Sequence, residues 1–264
     1  MTRHPRTAKD LEKKRFVLAT DLDGTFLGGA ESDRRRLYEW IEDNRTTIGL
    51  VFVTGRDPDF IRELCGERGV PWPDYAVGDV GTTIAQVEAP HGLHPIKALE
   101  DDIAARWNDS GARVRAALDG HAGLTLQPTD FRYRVSYDLD AGAFDHSAKD
   151  KVAQMGLDHL VSDDRYFDVL PKGVSKGPSL RRLVEHLNIE QERVLAAGDT
   201  MNDLSMLECG LKAVAVGGSE AALLDRVRHN DRVHKARAIG AAGILEAVAA
   251  FNLHPIPKGA LHAL

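Results

Sequence analysis

Cysteine is scarce in this sequence. Its 264 residues include only two, Cys65 and Cys209, which lie far apart and form no C-x-x-C pair. Cysteines this sparse argue against a fold held together by disulfides and suit a reducing compartment. We therefore expect a cytoplasmic protein.

An excess of positive charge and long apolar runs are also absent. The formal net charge is −6, whereas proteins that bind a polyanion usually show a basic excess on one face. No apolar run approaches membrane-spanning length, and no signal-peptide segment follows the basic residues at the start. We expect residues 1–14 to form a flexible extension. The expected partner is a small molecule, with neither a nucleic acid nor a membrane involved.

The residues that are present favour an α/β protein. With 264 residues and 43% hydrophobic content, the chain can bury one large core or two smaller ones. Several continuous apolar runs are typical of strands covered on both faces of a parallel sheet, and helical patterns separate them. Ligands bind outside the carboxyl ends of such strands. The polar residues that follow each run are therefore the candidates for a functional site.

The first of these strand exits carries two acids. Residues 16–25 read FVLATDLDGT, so Asp21 and Asp23 follow a buried run. Side chains at positions i and i+2 of an extended segment point the same way and can share one cation. Gly24 and Thr25 offer backbone N–H groups in a turn, which suit a phosphate. The alternative is an Asp-rich loop that caps a helix.

Three further segments place polar residues where a strand ends or a helix begins. They contain Thr54, Gly55 and Arg56 after the apolar run at 48–53, Lys176 before an amphipathic helix, and Asp199, Asn202 and Asp203 after the run at 194–197. Read singly, Thr54 fits an ordinary helix N-cap, and Lys176 fits an exposed lysine beside a glycine turn. Read together, they indicate a crevice for a cation and a phosphate.

Residues 131–139 alternate strictly between apolar and polar side chains. The alternation predicts a half-covered strand, with the aromatic side packed on helices and an open polar face that carries Arg132 and Arg134. The pattern alone leaves open whether that face meets water or a substrate.

Four motifs follow one another along the chain: D-x-D-G-T at 21–25, T-G-R at 54–56, the lone Lys176, and G-D-x-x-N-D at 198–203. In this order they resemble the haloacid dehalogenase superfamily of phosphohydrolases. Longer segments look like the sucrose-phosphate phosphatase family, whose relatives include the phosphatase for mannosylfructose phosphate. These segments are residues 16–25, 53–56, 73–75 with 80–82, 134–137 and 170–177. Two departures leave the sugar open: Gly24, where the sucrose enzymes commonly carry Asn, and Thr200-Met201, where they favour Ser-Gly.

The resemblance implies an α/β fold, with a Rossmann-like core around a parallel sheet and a smaller α+β cap of type 2. Residues 1–86 and 172–264 would form the core, and residues 87–171 the cap. The resemblance also implies the role of each site residue. Asp21 would be the nucleophile, Asp23 the general acid and base, and Thr54 and Lys176 the groups that hold the phosphoryl oxygens. Mg²⁺ would be bound by Asp21, Asp23 and Asp199 with support from Asn202 and Asp203, and the substrate by Gly24, Thr25, Gly55, Arg56, Arg132 and Arg134.

We therefore expect a Mg²⁺-dependent phosphatase that hydrolyses a sugar or disaccharide phosphate through an aspartyl-phosphate, as a monomer or small homo-oligomer. One alternative is a phosphatase for mannosyl-3-phosphoglycerate or another small ester, because two arginines would suit a carboxylate. A phosphomutase is a second alternative. A binding protein without catalysis is a third, which is weakened because every motif position carries a chemically competent residue.

Overall fold

Strands and helices alternate along most of the chain. The computed structural model describes residues 10–67 and 69–260. The strands are β1 (Phe16–Thr20), β2 (Ile48–Val53), β3 (Tyr75–Gly78), β4 (Thr83–Glu88), β5 (Gly92–Pro95), β6 (Leu124–Leu126), β7 (Val135–Leu139), β8 (Asp158–Ser162), β9 (Tyr166–Leu170), β10 (Val194–Gly198), β11 (Lys212–Gly217) and β12 (Val233–Ile239). The helices are α1 (Glu31–Asp43), α2 (Pro58–Glu67), α3 (Lys97–Trp107), α4 (Gly111–Leu118), α5 (Ser147–Gln154), α6 (Lys176–His186), α7 (Leu204–Leu207), α8 (Ala221–Val227) and α9 (Ala241–Ala250).

The chain divides into two compact units. The core unit runs up to Ile96 and resumes at Lys176, and the inserted unit is Lys97–Ser175. The predicted boundaries, after residue 86 and after residue 171, are therefore too early on both sides. The first is wrong because β4 pairs with β3 and β5 pairs with β4, so the core sheet continues to residue 95. That the inserted unit is a cap of type 2 stays a prediction.

The core unit contains an eight-stranded sheet with the order β12-β11-β10-β1-β2-β3-β4-β5. From β12 to β3 every pair of neighbours is parallel, whereas β4 is antiparallel to both of its neighbours. The α/β class is thus right, but the sheet is mixed and not purely parallel. Because β2 lies on one side of β1 and β10 on the other, the strand order reverses at β1. The carboxyl ends of these three strands meet at the point where open α/β sheets bind ligands.

Burial explains why the central strands are continuous apolar runs. Every residue of β1, β2 and β10 is buried. Apolar side chains on both sheet faces pack against helices, and the largest of the fully buried ones in this core are Phe16, Phe26 and Phe52. No helix among the described residues is long and apolar enough to cross a membrane.

The start of the chain differs in part from the predicted flexible extension. Residues 11–13 form a short helical turn, and Leu11 is buried. A Cβ on Gly49 of β2 would come within 2.4 Å of the Leu11 side chain, so this turn packs closely against the sheet. The prediction is therefore wrong for Leu11, whose apolar side chain is removed from water by β2. Residues 1–9 of the predicted extension lie outside the described residues.

One turn of the core unit has an unusual backbone. Asp79, Val80 and Gly81, between β3 and β4, have φ angles of 51°, 60° and 102°. Positive φ is readily adopted by glycine, but for a β-branched residue such as Val80 it is a genuine outlier. Such a residue costs of order 1–3 kcal/mol and persists only where its surroundings hold it.

The inserted unit is a four-stranded antiparallel sheet, in the order β6-β7-β9-β8, packed on helices α3, α4 and α5. Val135 and Tyr137 lie in its apolar core, as the alternation predicts. The predicted strand at 131–139 begins only at Val135, however, so Arg132 and Arg134 precede it. The predicted polar face is open only in part: Ser136 is 3% exposed and pairs in register with the buried Asp168, whereas Asp138 is exposed.

Candidate active site

The candidate site lies in the core unit, where β1, β2 and β10 end. Asp21 directly follows β1, Thr54 directly follows β2, and Asp199 directly follows β10. Thr20 is in register with Phe52 on one side and Ala197 on the other, so the three strands end at nearly the same level. Sequence segments that are up to 180 residues apart are thereby brought to one edge of the sheet.

The Lys176 side chain joins several of these segments. It is 1% exposed, and its ammonium donates to Asp21 Oδ1, Asn202 Oδ1 and Asp203 Oδ1, each at 2.7 Å. An ammonium has three N–H groups, so these contacts use all of them. The sequence patterns leave Lys176 open as an exposed lysine beside a glycine turn. That interpretation is wrong, because the amphipathic helix α6 carries the side chain into the core.

Asp203 organises the acidic turn after β10. It is fully buried, and its Oδ2 atom accepts hydrogen bonds from the backbone N–H groups of Asp199 and Thr200 at 3.0 and 3.1 Å. Its other oxygen binds Lys176. Because both oxygens have hydrogen-bond donors, Asp203 mainly fixes the conformation of the turn.

Asp199 is held from the side of the β1 exit. Thr25 Oγ1 donates to Asp199 Oδ1 at 2.5 Å. Gly24 has a φ of 81°, and a Cβ at this position would lie 2.1 Å from Asp199 Oδ2. Gly24 therefore leaves the space that the Asp199 carboxylate occupies. For these two residues the structure shows contacts with an acid, while their predicted role in binding phosphate stays a prediction.

Asp23 differs from Asp21 in its surroundings. Its side chain is 57% exposed, and its Oδ2 atom accepts a hydrogen bond from Arg56 Nε at 3.0 Å. The Arg56 guanidinium also lies over the Phe60 ring, 4.7 Å from its centroid. Asp23 is thus accessible to a reacting group, whereas Asp21, at 6% exposure, is buried.

Thr54 begins the turn that contains Gly55 and Arg56. It is 1% exposed, its backbone N–H donates to Val77 O at 2.8 Å, and its Oγ1 atom accepts from the Arg56 N–H at 3.1 Å. The Asp57 side chain accepts from the Phe60 N–H at 2.9 Å and caps α2. The cap of this helix is therefore Asp57, and the helix-cap interpretation of Thr54 is wrong.

The acids of the site carry more negative charge than Lys176 balances. Burial raises the pKa of Asp199 to about 6, against the opposing hydrogen bond from Thr25. Burial likewise raises the pKa of Asp21, against the attraction of Lys176. Burial lowers the pKa of the Lys176 ammonium, but Asp203 and Asp21 together raise it above its ordinary value. Removal from water disfavours a charged carboxylate, so a further positive charge nearby would stabilise the ionised form of both Asp199 and Asp21.

This donor set fits a divalent cation. Asp21, Asp199 and Asp203 each offer a carboxylate oxygen, and these oxygens lie within 4.8 Å of one another. Three carboxylates and one ammonium leave two negative charges, and oxygen ligands are those that Mg²⁺ prefers. Asp21 and Asp199 are the best-placed direct ligands, because Asp203 is already occupied by hydrogen bonds. The Asn202 side chain binds Lys176, so any part it plays toward a metal would be indirect.

Comparison with known proteins identifies the family of this chain. The family model for sucrose-6F-phosphate phosphohydrolase matches residues 14–252. The chain belongs to this family. The predicted α/β fold and the predicted class of enzyme, a phosphoric monoester hydrolase, are confirmed at the level of the family.

Three relatives illustrate the range of this phosphohydrolase family and its neighbours. The sucrose-phosphatase of Synechocystis sp. PCC6803, solved with sucrose and phosphate, is 28% identical with a TM-score of 0.79, over 90% of this chain and 98% of that one. Mannosylfructose-phosphate phosphatase of Agrobacterium fabrum is 29% identical over 90% of this chain and 98% of its own length. Glucosylglycerol-phosphate synthase of Pseudomonas anguilliseptica is 39% identical over 90% of this chain. This chain spans only 31% of that synthase.

The two predicted substrate-binding arginines of this family member lie in the inserted unit. Arg134 is 7% exposed, donates to Asp168 Oδ1 at 3.0 Å and lies over the Phe131 ring. Arg132 is half exposed and forms an ion pair with Glu100. Their role in binding a substrate stays a prediction.

Sequence reasoning missed Glu220, which supports the acidic turn. Its Oε2 atom accepts from the Met201 N–H at 2.7 Å, and its own N–H donates to Asp199 O at 2.9 Å. Its position after β11, the strand next to β10, is a signal that could have identified it. A support of this kind is typical of residues that orient metal ligands.

We expect Mg²⁺ to stabilise this protein more strongly as the pH rises. The raised pKa values of Asp21 and Asp199 mean that the folded protein holds protons more tightly than the unfolded chain. This contribution to stability is complete below the ordinary pKa of 3.8 and, for Asp199, is lost as the pH rises through about 6. A bound cation favours the charged carboxylates and opposes the loss. Melting temperatures with EDTA and with MgCl₂ at a series of pH values measure the effect. A stabilisation by Mg²⁺ that shrinks as the pH rises would contradict it.

We expect Gly24→Ala to weaken Mg²⁺ binding. The added Cβ would overlap Asp199 Oδ2 and must displace this ligand, and φ at this position is unfavourable for alanine. The Mg²⁺ concentration for half-maximal binding, measured by calorimetry, should rise about 10–100-fold. Gly92→Ala is a matched control, because φ there is also positive and no atom lies within 4 Å of the added Cβ. Equal Mg²⁺ affinity in the two variants would show that Gly24 is not needed to position the Asp199 carboxylate.

Proposed function

We propose that the protein is a Mg²⁺-dependent phosphatase that hydrolyses the phosphate ester of a sugar or disaccharide. The observation that carries this proposal is the buried Asp21 carboxylate, held by Lys176 beside Asp199 and Asp203. Catalysis of phosphoryl transfer is mainly positioning and electrostatic stabilisation, and a fixed carboxylate among balancing charges supplies both. Membership of a phosphohydrolase family supports the same reaction.

In the first step, an Asp21 oxygen attacks phosphorus and the bond from phosphorus to the sugar oxygen breaks. This gives an aspartyl-phosphate and splits one difficult displacement into two easier ones. Lys176 binds Asp21 Oδ1 at 2.7 Å, which orients the carboxylate and leaves Oδ2 for the attack. Mg²⁺ held by Asp21 and Asp199 would supply positive charge that offsets the charge on the phosphoryl group.

Asp23 is the group that moves protons in both steps. It gives a proton to the departing sugar oxygen, and it later accepts one from the water that attacks the aspartyl-phosphate. Its 57% exposed side chain suits this role better than a buried acid would. Arg56 orients it through the bond to Oδ2. Thr54 lies at the neighbouring strand exit, where its hydroxyl and the adjoining N–H groups would bind phosphoryl oxygens.

The leaving group has two leading candidates. The sucrose-phosphatase and the mannosylfructose-phosphate phosphatase support a disaccharide phosphate. Glucosylglycerol phosphate is favoured by the higher identity of 39% to a glucosylglycerol-phosphate synthase. The name of that relative identifies glucosylglycerol phosphate as a phosphate ester that a phosphatase could hydrolyse. We propose glucosylglycerol phosphate as the first substrate to test. The cytoplasmic location and the monomer or small homo-oligomer stay predictions.

A panel of phosphate esters should show release of inorganic phosphate that depends on Mg²⁺. The panel contains glucosylglycerol phosphate, sucrose phosphate, mannosylfructose phosphate, mannosyl-3-phosphoglycerate and p-nitrophenyl phosphate. We expect the highest kcat/KM for glucosylglycerol phosphate. A phosphorylated isomer in place of free phosphate would indicate a mutase. If no ester were turned over, the remaining alternative would be a binding protein without catalysis.

We expect Asp21→Asn to abolish turnover while the protein stays folded, because the amide keeps the shape of the side chain but is a poor nucleophile. The loss should be at least about 1,000-fold, as for other essential nucleophiles. Asp33→Asn in the first turn of α1 is the matched control and should keep full activity. Retained activity in Asp21→Asn would remove Asp21 from this role.

A further inference from the structure

The turn at Asp79, Val80 and Gly81, which we name the 79–81 turn, contacts the segment that carries Thr54. The Val80 N–H donates to Thr54 O at 3.2 Å, and the Asp79 N–H donates to Arg56 O at 3.0 Å. Two backbone hydrogen bonds therefore fix the Thr54–Arg56 segment along one side of the turn.

The other side of the same turn contacts helix α6. Ser179 Oγ donates to Gly81 O at 2.7 Å, and Ser179 is fully buried. Lys176 is the first residue of α6 and lies one helical turn before Ser179. Because a helix turn is stiff, a bond to Ser179 also restricts the position from which the Lys176 side chain extends.

The strained backbone of the turn is held by its own side chains. Asp79 is 9% exposed, and its Oδ2 atom accepts from Thr83 Oγ1 at 2.6 Å. Thr82 Oγ1 donates to Asp79 O at 3.0 Å. Val80 is also buried, so its unfavourable φ of 60° is enclosed by packed atoms. A strained conformation that is held this firmly is a candidate for a role in function.

We propose that the 79–81 turn is a positioning element that sets Thr54 relative to Lys176. It touches neither phosphorus nor a metal and acts through the Thr54 carbonyl and through Ser179. The inference rests on the proposed function, because the distance between Thr54 and Lys176 matters for the rate only if both groups bind the phosphoryl group. A displacement of about 1 Å in such groups can cost as much as 100-fold in rate. A turn with a merely structural role would change stability and leave the rate constant intact.

Ser179→Ala tests the contact to α6. We expect kcat toward the best ester of the panel to fall about 10-fold or more, with KM changed less than about 3-fold, since positioning acts on the reacting geometry. Ser110→Ala is the matched control, because Ser110 is a buried serine of the inserted unit that donates to Trp107 O. It should lower the melting temperature by a similar amount and keep the wild-type kcat. A wild-type kcat in Ser179→Ala would overturn the proposal.

Substitution of Thr83 tests the turn independently and covers the case in which Ser179→Ala fails to fold. Thr83→Val keeps the shape of the side chain and removes the hydroxyl that binds Asp79, whereas Thr83→Ser keeps the hydroxyl. We expect Thr83→Val to lose kcat as Ser179→Ala does, and Thr83→Ser to recover at least half of the wild-type value. Equal kcat in the two Thr83 variants would overturn the proposal.

Hydrogen exchange separates this inference from the proposed function. In both Ser179→Ala and Thr83→Val, backbone N–H groups at residues 54–57 and at Lys176 and Gly177 should exchange about 10-fold faster than in the wild type, and Ser110→Ala should leave them unchanged. This readout needs no substrate. If the wild type hydrolyses no ester, faster exchange still supports the positioning role, and unchanged exchange in both variants overturns it.

Discussion

The Lys176 ammonium is the interaction on which the candidate site depends. It is buried, and it joins the exit of β1 to the acidic turn after β10 through Asp21, Asn202 and Asp203. Removing one partner of a buried ion pair leaves an uncompensated charge that typically costs 3–5 kcal/mol. Two such ion pairs, with Asp21 and Asp203, and a hydrogen bond to Asn202 meet at one nitrogen, so the arrangement of these acids is a condition of the fold.

The sheet topology explains why this cluster can form. With β2 and β10 on either side of β1, the turns that follow the three strands lie at one edge, and each is short. The turns after β1 and β10 therefore approach each other closely. Gly24 leaves the space for this approach, since any Cβ there would overlap Asp199. Thr25, Glu220 and Asp203 hold the acidic turn from three directions. The protein's own hydrogen bonds thus orient the acids that we propose as metal ligands.

Phosphoryl transfer and the choice of leaving group are separate parts of the proposed function. Every group that we assign to phosphoryl transfer belongs to the core unit. That Arg132 and Arg134 of the inserted unit bind the leaving group stays a prediction. Arg134 and Asp168 form a buried ion pair in the inserted unit, so a substrate that uses either would meet a preformed pair of charges.

The sequence by itself determined the strand exits. The apolar runs that end at Asp21, Thr54 and Asp199 are strands in the structure, because a strand buried on both faces needs an apolar residue at nearly every position. It also determined which residue types stand at these exits, and their resemblance to a known family gave the expected reaction class. Only the tertiary structure decided which atoms meet: the three acceptors of Lys176, the support of Glu220, the 79–81 turn, and the pairing of Arg134 with Asp168. These contacts join residues that are mostly 15 or more positions apart, and no local pattern of apolar and polar residues encodes distances between such partners.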